Sequence, residues 1–231
     1  MKINKVLKYS GLTLFTIIII TFITGFVMYT KTGAIADNIK IPENSNVTKS
    51  QIKQDLFVTG FVLNSFFKDY VSSLGLLGNE KVLDFGSGTG AEARYLAEIL
   101  SEKGGQLTCL DVSETWIKVS KEKLKNYNNI EYLCGYITEM EIKENSYDNI
   151  IVHYVLHVID KKQRASYVEK FNKILKNGGK IFIREPQGHK GGITPKEIHD
   201  LMINNGFNEL KSEQNKYFIA GFVTETIYQK P

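Results

Sequence analysis

The chain has only two cysteines in 231 residues, Cys109 and Cys134, and both fall inside predicted strands. Two thiols cannot form the multi-bridge framework of a small secreted domain, and their spacing matches no metal-ligand pattern. We expect both to be small buried hydrophobic residues. The sequence therefore excludes a disulfide framework and predicts no metal site.

Acidic residues are absent from residues 1–31, which carry four lysines. The formal net charge of the whole chain is +4, so residues 32–231 are balanced, with equal numbers of basic and acidic side chains. A nucleic-acid-binding face needs clustered positive charge. We therefore expect no nucleic-acid partner. Internal repeats and low-complexity tracts are absent as well.

The first segment contains a long run without charge, from Tyr9 to Thr30. As a helix this run spans about 33 Å, close to the roughly 30 Å hydrocarbon core of a bilayer. Tyr9 and Tyr29 lie where interfacial aromatic residues are expected. We predict a single-pass membrane anchor over residues 1–31. A cleaved signal peptide is the alternative, because Ala34-Ile35-Ala36 resembles a cleavage site, although the run exceeds the usual apolar length.

The rest of the chain divides into a linker and one domain. Residues 32–49 are polar and are predicted to form the linker. Apolar residues at helical spacing over 50–77 predict one or two amphipathic helices. Strands and helices then alternate up to residue 204, which predicts a parallel sheet with helices on both faces. Residues 207–228 alternate and are predicted to form a hairpin that turns at 213–215. The predicted domain covers residues 50–231.

The most informative stretch is Val82–Gly90, which reads Val-Leu-Asp-Phe-Gly-Ser-Gly-Thr-Gly. An apolar strand enters a loop with glycine at 86, 88 and 90, and a helical segment follows. Alternate glycines allow positive φ and close approach of a ligand to the backbone. The helix behind them presents free N–H groups and a positive dipole end. The stretch therefore predicts a nucleotide-type pocket at the carboxyl end of a parallel strand.

Two features separate this loop from a dinucleotide-binding one. Gly86-x-Gly88-x-x-Ala91 satisfies the dinucleotide fingerprint, but Asp84 would repel a pyrophosphate and suits a cationic or amino ligand. The third glycine also comes one place early. An NAD-dependent oxidoreductase is therefore the less favoured alternative.

The string resembles motif I of the class I S-adenosylmethionine-dependent methyltransferases of the small-molecule type. Later segments resemble the same family in the same order, including Ser146–Val152, Val155–Ile159 and Leu175–Lys180. The resemblance implies an α/β, Rossmann-like fold with a mostly parallel seven-stranded sheet and a C-terminal antiparallel hairpin. It implies S-adenosyl-L-methionine as the cofactor. It also implies that the helices of residues 50–77 cover the pocket as a cap, with plain packing against the sheet as the alternative.

The resemblance also implies the cofactor contacts. Asp111, at the end of the second strand, would accept the ribose hydroxyls, or it could serve as a charge at the start of the next helix. Trp116 would lie on the adenine or simply pack. Tyr136 stands where the family has an acid, which puts that adenine contact in doubt. The expected cofactor-binding residues are Asp84, Phe85, Gly86, Ser87, Gly88, Gly90, Asp111, Val112, Trp116, Tyr136 and His153.

Two histidines are candidate general bases. Methyl transfer depends mainly on placing the nucleophile in line with the methyl group, and a base is needed only if the acceptor must lose a proton. His153 ends the fourth strand and His157 follows in the next turn. Imidazole titrates near working pH, so both are candidate catalytic residues, with a structural role as the alternative. Glu185 is a weaker candidate.

The sequence thus predicts a membrane-tethered methyltransferase that acts on a small or lipid-like acceptor. The alternative is a degenerate domain that serves as a non-catalytic binding module, which Tyr136 and the lack of a clear base would favour. Three lysines precede the uncharged run, whereas Lys31 and Lys40 follow it, which favours a domain outside the cell. The methyl donor is made in the cytosol, however, so we expect a cytosol-facing domain. The sequence predicts neither the acceptor atom nor the oligomeric state.

Overall fold

The structure is a computed structural model that describes residues 21, 23–43, 45–187, 192–218 and 220–231. Most of the predicted anchor therefore lies outside the described residues. Among the residues that are described, none of the helices is both long enough and apolar enough to cross a membrane. The chain divides into two compact units, Met1–Phe66 and Phe67–Pro231.

The first unit is helical in its described part. Helix α1 covers residues 23–38, and α2 covers Lys49–Phe57, followed by a π-helical turn at Val58–Val62. Thr48 starts α2 with a reciprocal cap, in which its hydroxyl accepts from the backbone of Gln51 and its own N–H donates to the Gln51 side chain.

The predicted linker is wrong for residues 32–38, which continue α1. Thr32 and Ala36 are both buried, and residues four apart lie on one face of a helix. Burial of that face stabilises helical structure in a segment whose polar composition alone suggested a loop.

The described residues of the second unit form a seven-stranded sheet in the order β3-β2-β1-β4-β5-β7-β6. Strands β1 to β5 are parallel, whereas β7 is antiparallel to both β5 and β6. The strands are β1 Lys81–Phe85, β2 Gln106–Asp111, β3 Ile130–Cys134, β4 Tyr147–His153, β5 Leu175–Pro186, β6 Asn208–Tyr217 and β7 Gly221–Gln229.

Helices connect these strands. Helix α3, Asn64–Ser73, crosses the boundary between the two units, and its residues from Phe67 onward belong to the second. The others are α4 Ala93–Ser101, α5 Glu114–Lys123, α6 Arg164–Ile174 and α7 Pro195–Asn204, with 3-10 turns at Ile137–Glu139 and Leu156–Val158.

The sheet has a hydrophobic core on each of its two faces, to which apolar residues of the central strands contribute. In β4, Ile150 belongs to a core with α6 and α7, whereas the next residue, Ile151, belongs to a second core with α3 and α4. Successive side chains of a strand point to opposite faces, and a parallel sheet covered on both sides needs apolar residues at every position. Two residues of α3, Tyr70 and Val71, lie in the second core. This helix therefore packs against the sheet, which was the stated alternative to a cap over the pocket.

Two predictions fail at the edges of the sheet. The hairpin does not turn at 213–215, because Glu213 and Asn215 pair with β7 and the pairing continues to Tyr217 and Gly221. Strand β6 is an exposed edge of polar residues, so its sequence gives no alternation signal. Cys134, expected to be buried, is exposed because β3 is the opposite edge strand, whereas Cys109 is buried in a central strand.

Candidate functional site

The glycine loop after β1 is fixed by the end of the neighbouring strand. The backbone N–H groups of Gly86 and Ser87 both donate to the carbonyl oxygen of Leu110, at 2.8 and 3.0 Å. This arrangement bends the chain away from the sheet immediately after Phe85. The loop therefore lies at the carboxyl edge of the sheet, beside the ends of β1 and β2.

The three glycines of the loop serve different purposes. A side chain on Gly86 would place Cβ 2.3 Å from a methyl carbon of Val155, and one on Gly90 would lie 2.6 Å from the Ser120 hydroxyl. Protein packing therefore requires glycine at both positions. Gly88 has a φ of +51° and nothing within 4 Å of its would-be Cβ, so its open side is available to a ligand.

Asp111 ties the loop to the start of α5. One carboxylate oxygen accepts from the N–H of Gly88 at 2.9 Å, and the other accepts from the N–H of Ser113 at 2.8 Å. Burial raises the pKa of Asp111, and these two donors act against that rise. Each carboxylate oxygen can accept a second hydrogen bond, so the helix-start role and the ribose role are compatible.

A cavity of about 600 Å³ lies beside this loop, within the range of small-molecule sites. It is formed between the ends of β1, β2 and β3 on one side and the segment after β4 on the other. Six of the predicted cofactor-binding residues line it, namely Phe85, Gly86, Asp111, Val112, Trp116 and Tyr136. The lining opposite them includes three residues that the sequence did not single out, namely Tyr154, Asp160 and Gln163.

Phe85 contributes mainly to the core. Its ring centroid lies 4.9 Å from that of Phe171 and 5.8 Å from that of Tyr167, and only 4% of the residue is exposed. We therefore assign it to packing beneath the cavity floor.

Two buried acids lie beside the loop with oxygens that no hydrogen-bond donor reaches among the described residues. These atoms are Oδ2 of Asp84, at the end of β1, and Oε1 of Glu92, just before α4. Burial, followed by the negative charges of Glu92 and Asp111, raises the pKa of Asp84 well above its ordinary value. The ionised form of such a cluster is unfavourable unless a cation joins it. Glu92 was missed by sequence reasoning, although an acid two places after the last glycine of the loop was a visible signal.

His153 is held by the second of these acids. Its Nδ1 lies 2.8 Å from Oε2 of Glu92, and both side chains are buried. The imidazole packs against the rings of Phe67, Tyr70 and Tyr154, with centroid distances of 5.2, 5.2 and 4.7 Å. The structure therefore places His153 in an aromatic enclosure rather than in the lining of the 600 Å³ cavity.

His157 has a different acid. Its Nδ1 lies 2.7 Å from Oε2 of Glu185, whose other oxygen accepts from the backbone N–H groups of Val155 and Leu156. Glu185 is completely buried. It fixes the segment after β4, including the valine that packs against Gly86.

A buried arginine, Arg184, lies at this end of the sheet, and its ion pair was not predicted. Arg184 Nε lies 2.7 Å from Oε1 of Glu225 in an ion pair. Its guanidinium lies over the rings of Tyr70 and Tyr217, at 4.3 and 4.8 Å from their centroids. Tyr217 in turn donates its hydroxyl hydrogen to Glu225. The hairpin is thereby joined to the end of β5.

Comparison with known proteins gives a consistent result. A family model described as a methyltransferase domain matches residues 83–183. A ubiquinone/menaquinone biosynthesis C-methyltransferase of Shewanella piezotolerans is 29% identical over 170 residues, which cover 72% of this chain and 65% of that protein. Phosphoethanolamine N-methyltransferase 1 of Triticum aestivum is 28% identical over 182 residues, which cover 73% of this chain and 36% of that protein.

The chain thus spans less than two thirds of the length of both relatives. Among solved structures, a SAM-dependent methyltransferase of Aquifex aeolicus superimposes with a TM-score of 0.60 at 19% identity. That match covers 73% of this chain and 92% of the other, and it confirms the predicted fold. The comparisons therefore agree in their type of protein: residues 83–183 match a methyltransferase-domain model, two curated methyltransferases are similar in sequence, and a SAM-dependent methyltransferase shares the fold.

Proposed function

We propose that this protein transfers a methyl group from S-adenosylmethionine to a small acceptor. The observation that carries the proposal is the pair of buried acids, Asp84 before the glycine loop and Glu92 after it, each with a buried oxygen that has no hydrogen-bond partner among the described residues. S-adenosylmethionine carries a sulfonium and an ammonium group, so it supplies the positive charge that this cluster needs. An anionic dinucleotide phosphate would be repelled there.

The described residues fit the cofactor along its length. Asp111 would hold the ribose, because it retains acceptor capacity after its two backbone hydrogen bonds. Trp116 and Tyr136 line the same cavity and offer rings to the adenine. When bound, the cofactor supplies a methyl group on a positively charged sulfur that leaves as a neutral thioether.

The protein's part in the reaction is to position the acceptor and accept its proton. His153 is enclosed by three aromatic rings and buried beside Glu92. A carboxylate can only accept a hydrogen bond, so an ionised Glu92 holds the proton on Nδ1 and leaves Nε2 as the basic nitrogen. An acceptor O–H or N–H would pass its proton to that nitrogen.

The acceptor class is argued from the relatives. One carries a name for carbon methylation in quinone biosynthesis, and the other carries a name for nitrogen methylation of phosphoethanolamine. Both names describe small acceptors. The acceptor in quinone biosynthesis is a precursor of a lipid-soluble molecule. We propose a small or lipid-like acceptor for this chain as well.

The uncharged run from Tyr9 to Thr30 supports a membrane location. We propose that it anchors the protein and that the domain faces the cytosol, where the methyl donor is made. Protease treatment of intact cells tests the orientation. Protection of the domain supports the cytosolic side, and complete digestion from outside contradicts it.

The test of the function has two stages on the full chain in detergent. Calorimetry should show binding of S-adenosylmethionine, and absence of binding at millimolar ligand would overturn the proposal. Methyl transfer is then followed with labelled donor and two acceptors, phosphoethanolamine and a demethylated quinone. Binding without turnover on either acceptor favours the non-catalytic alternative, for which Tyr136 is the specific support.

A further inference from the structure

The two carboxylate oxygens of Glu92 have different surroundings. Oε2 contacts Nδ1 of His153 at 2.8 Å, whereas Oε1 is buried without a hydrogen-bond donor among the residues that the structure describes. A buried carboxylate oxygen without a partner is costly. Retaining it in the fold requires a compensating group.

The order of the strands shows which part of the cofactor would lie there. The cavity is lined on that side by Asp111 at the end of β2, by Trp116 after β2 and by Tyr136 after β3. Strand β1 comes next in the sheet, and β4 follows it. A ligand whose adenosine lies over β2 and β3 therefore extends its other end across β1 toward β4. Asp84 is the next-to-last residue of β1, and His153 is the last residue of β4.

The second acid strengthens this placement. Oδ2 of Asp84 is also buried and unpartnered in the described part of the chain, and its charge interacts with that of Glu92. An ammonium group has three donors and a positive charge, which matches two acceptor oxygens on two like-charged side chains.

We infer that Glu92, together with Asp84, binds the ammonium group of the cofactor's amino-acid end while its other oxygen orients His153. This assignment rests on the proposed function. Glu92 then couples two requirements, because one side chain fixes the donor molecule and the ring beside it. It is a binding residue toward the cofactor and a positioning residue toward His153.

Calorimetry with three ligands tests the assignment without any methyl acceptor. S-adenosylhomocysteine has both the ammonium and the carboxylate. The compound 5′-deoxy-5′-(3-carboxypropylthio)adenosine keeps the carboxylate and lacks the ammonium, and 5′-methylthioadenosine lacks both. The proteins are the full chain, Glu92→Gln, Asp84→Asn and the matched control Glu98→Gln, whose glutamate is exposed on α4.

We expect Glu92→Gln to weaken binding of S-adenosylhomocysteine about tenfold to a hundredfold, the range for a hydrogen bond to a charged group. Its affinity for the two ligands without an ammonium should change less than about twofold. Asp84→Asn should show the same selectivity, and Glu98→Gln should leave all three affinities unchanged. Equal losses for all three ligands would show that Glu92 is merely structural and would overturn the inference.

The unaltered protein gives a second measurement that does not depend on folding of a variant. It should prefer S-adenosylhomocysteine over the ammonium-free carboxylate by about tenfold or more. A ratio near one contradicts the inference but leaves the proposed function intact. If the unaltered protein binds none of the three ligands, the proposed function fails first.

Discussion

Two histidine–glutamate pairs lie at the same end of the sheet, and they differ in how fully the glutamate is satisfied. Glu185 accepts from two backbone N–H groups and contacts His157, so both of its oxygens have partners. Glu92 contacts His153 with one oxygen and leaves the other unpartnered within the described residues. The first pair is satisfied by the protein itself, whereas we propose that a ligand completes the second. Burial and a histidine partner alone do not distinguish a structural acid from a functional one.

The largest effect on stability is expected for Glu185→Ala. The substitution leaves two backbone N–H groups and the His157 ring without their acceptor, and each buried unsatisfied group costs about 1–3 kcal/mol. The free energy of unfolding should therefore fall by about 3–5 kcal/mol in urea titrations. The control is Glu169→Ala, whose glutamate is exposed and pairs only with Lys173. A Glu185→Ala protein as stable as that control would contradict the structural role.

Substitution of Gly86 or Gly88 by alanine should cost less stability than Glu185→Ala, and the two losses should differ. In Gly86→Ala the new methyl group lies 2.3 Å from Val155, and overpacking of this kind costs about 1–3 kcal/mol in addition to strain at positive φ. Gly88→Ala meets open space, so only the strain of about 1 kcal/mol applies. Thermal unfolding should rank Gly86→Ala below Gly88→Ala, while calorimetry should show weaker cofactor binding by Gly88→Ala. The reverse ranking would mean that Gly88 packs against protein.

Asp84→Asn should raise the stability of the free protein and weaken its binding of the cofactor. The pKa of Asp84 is raised by burial and by two neighbouring acids, so its ionised form opposes folding at any pH above the ordinary carboxyl range. The neutral amide removes that penalty, and the melting temperature without ligand should rise at pH 7. The same variant should bind S-adenosylhomocysteine at least about tenfold more weakly. A lower melting temperature would show that the charge stabilises the fold.

The smallest expected effect is the change in affinity for S-adenosylhomocysteine with pH. An ammonium ligand prefers ionised Asp84, whereas burial favours the protonated acid in the free protein. Affinity for S-adenosylhomocysteine should therefore increase as pH rises toward the raised pKa, by up to about tenfold per pH unit. The slope should flatten in Asp84→Asn. Calorimetry over a pH series checks this, and equal slopes in both proteins would assign the dependence to another group.

The sequence predicted the parts of the fold that depend on local pattern. The strand that enters the glycine loop was predicted and is β1, because an apolar run beside turn residues is a local signal. The turn of the hairpin was misplaced because the polar edge strand β6 has no such signal. Six of the predicted cofactor-binding residues line one cavity, since the motifs fix their positions relative to the strand ends.

The acid pairs were beyond sequence reasoning for a physical reason. Glu92 and His153 are 61 positions apart, and Glu185 and His157 are 28 apart. Such contacts depend on the register of neighbouring strands, which a single sequence does not contain. The pairing of Arg184 with Glu225 likewise follows from the antiparallel register of β5 and β7.

The ion pair between Arg184 and Glu225 makes the last strand indispensable to the interior. A chain cut short before residue 221 would lack Glu225 and would remove this ion pair from a buried guanidinium, at a cost of about 3–5 kcal/mol. Folding at this end of β5 is therefore complete only when residues 221–229 are available to form β7.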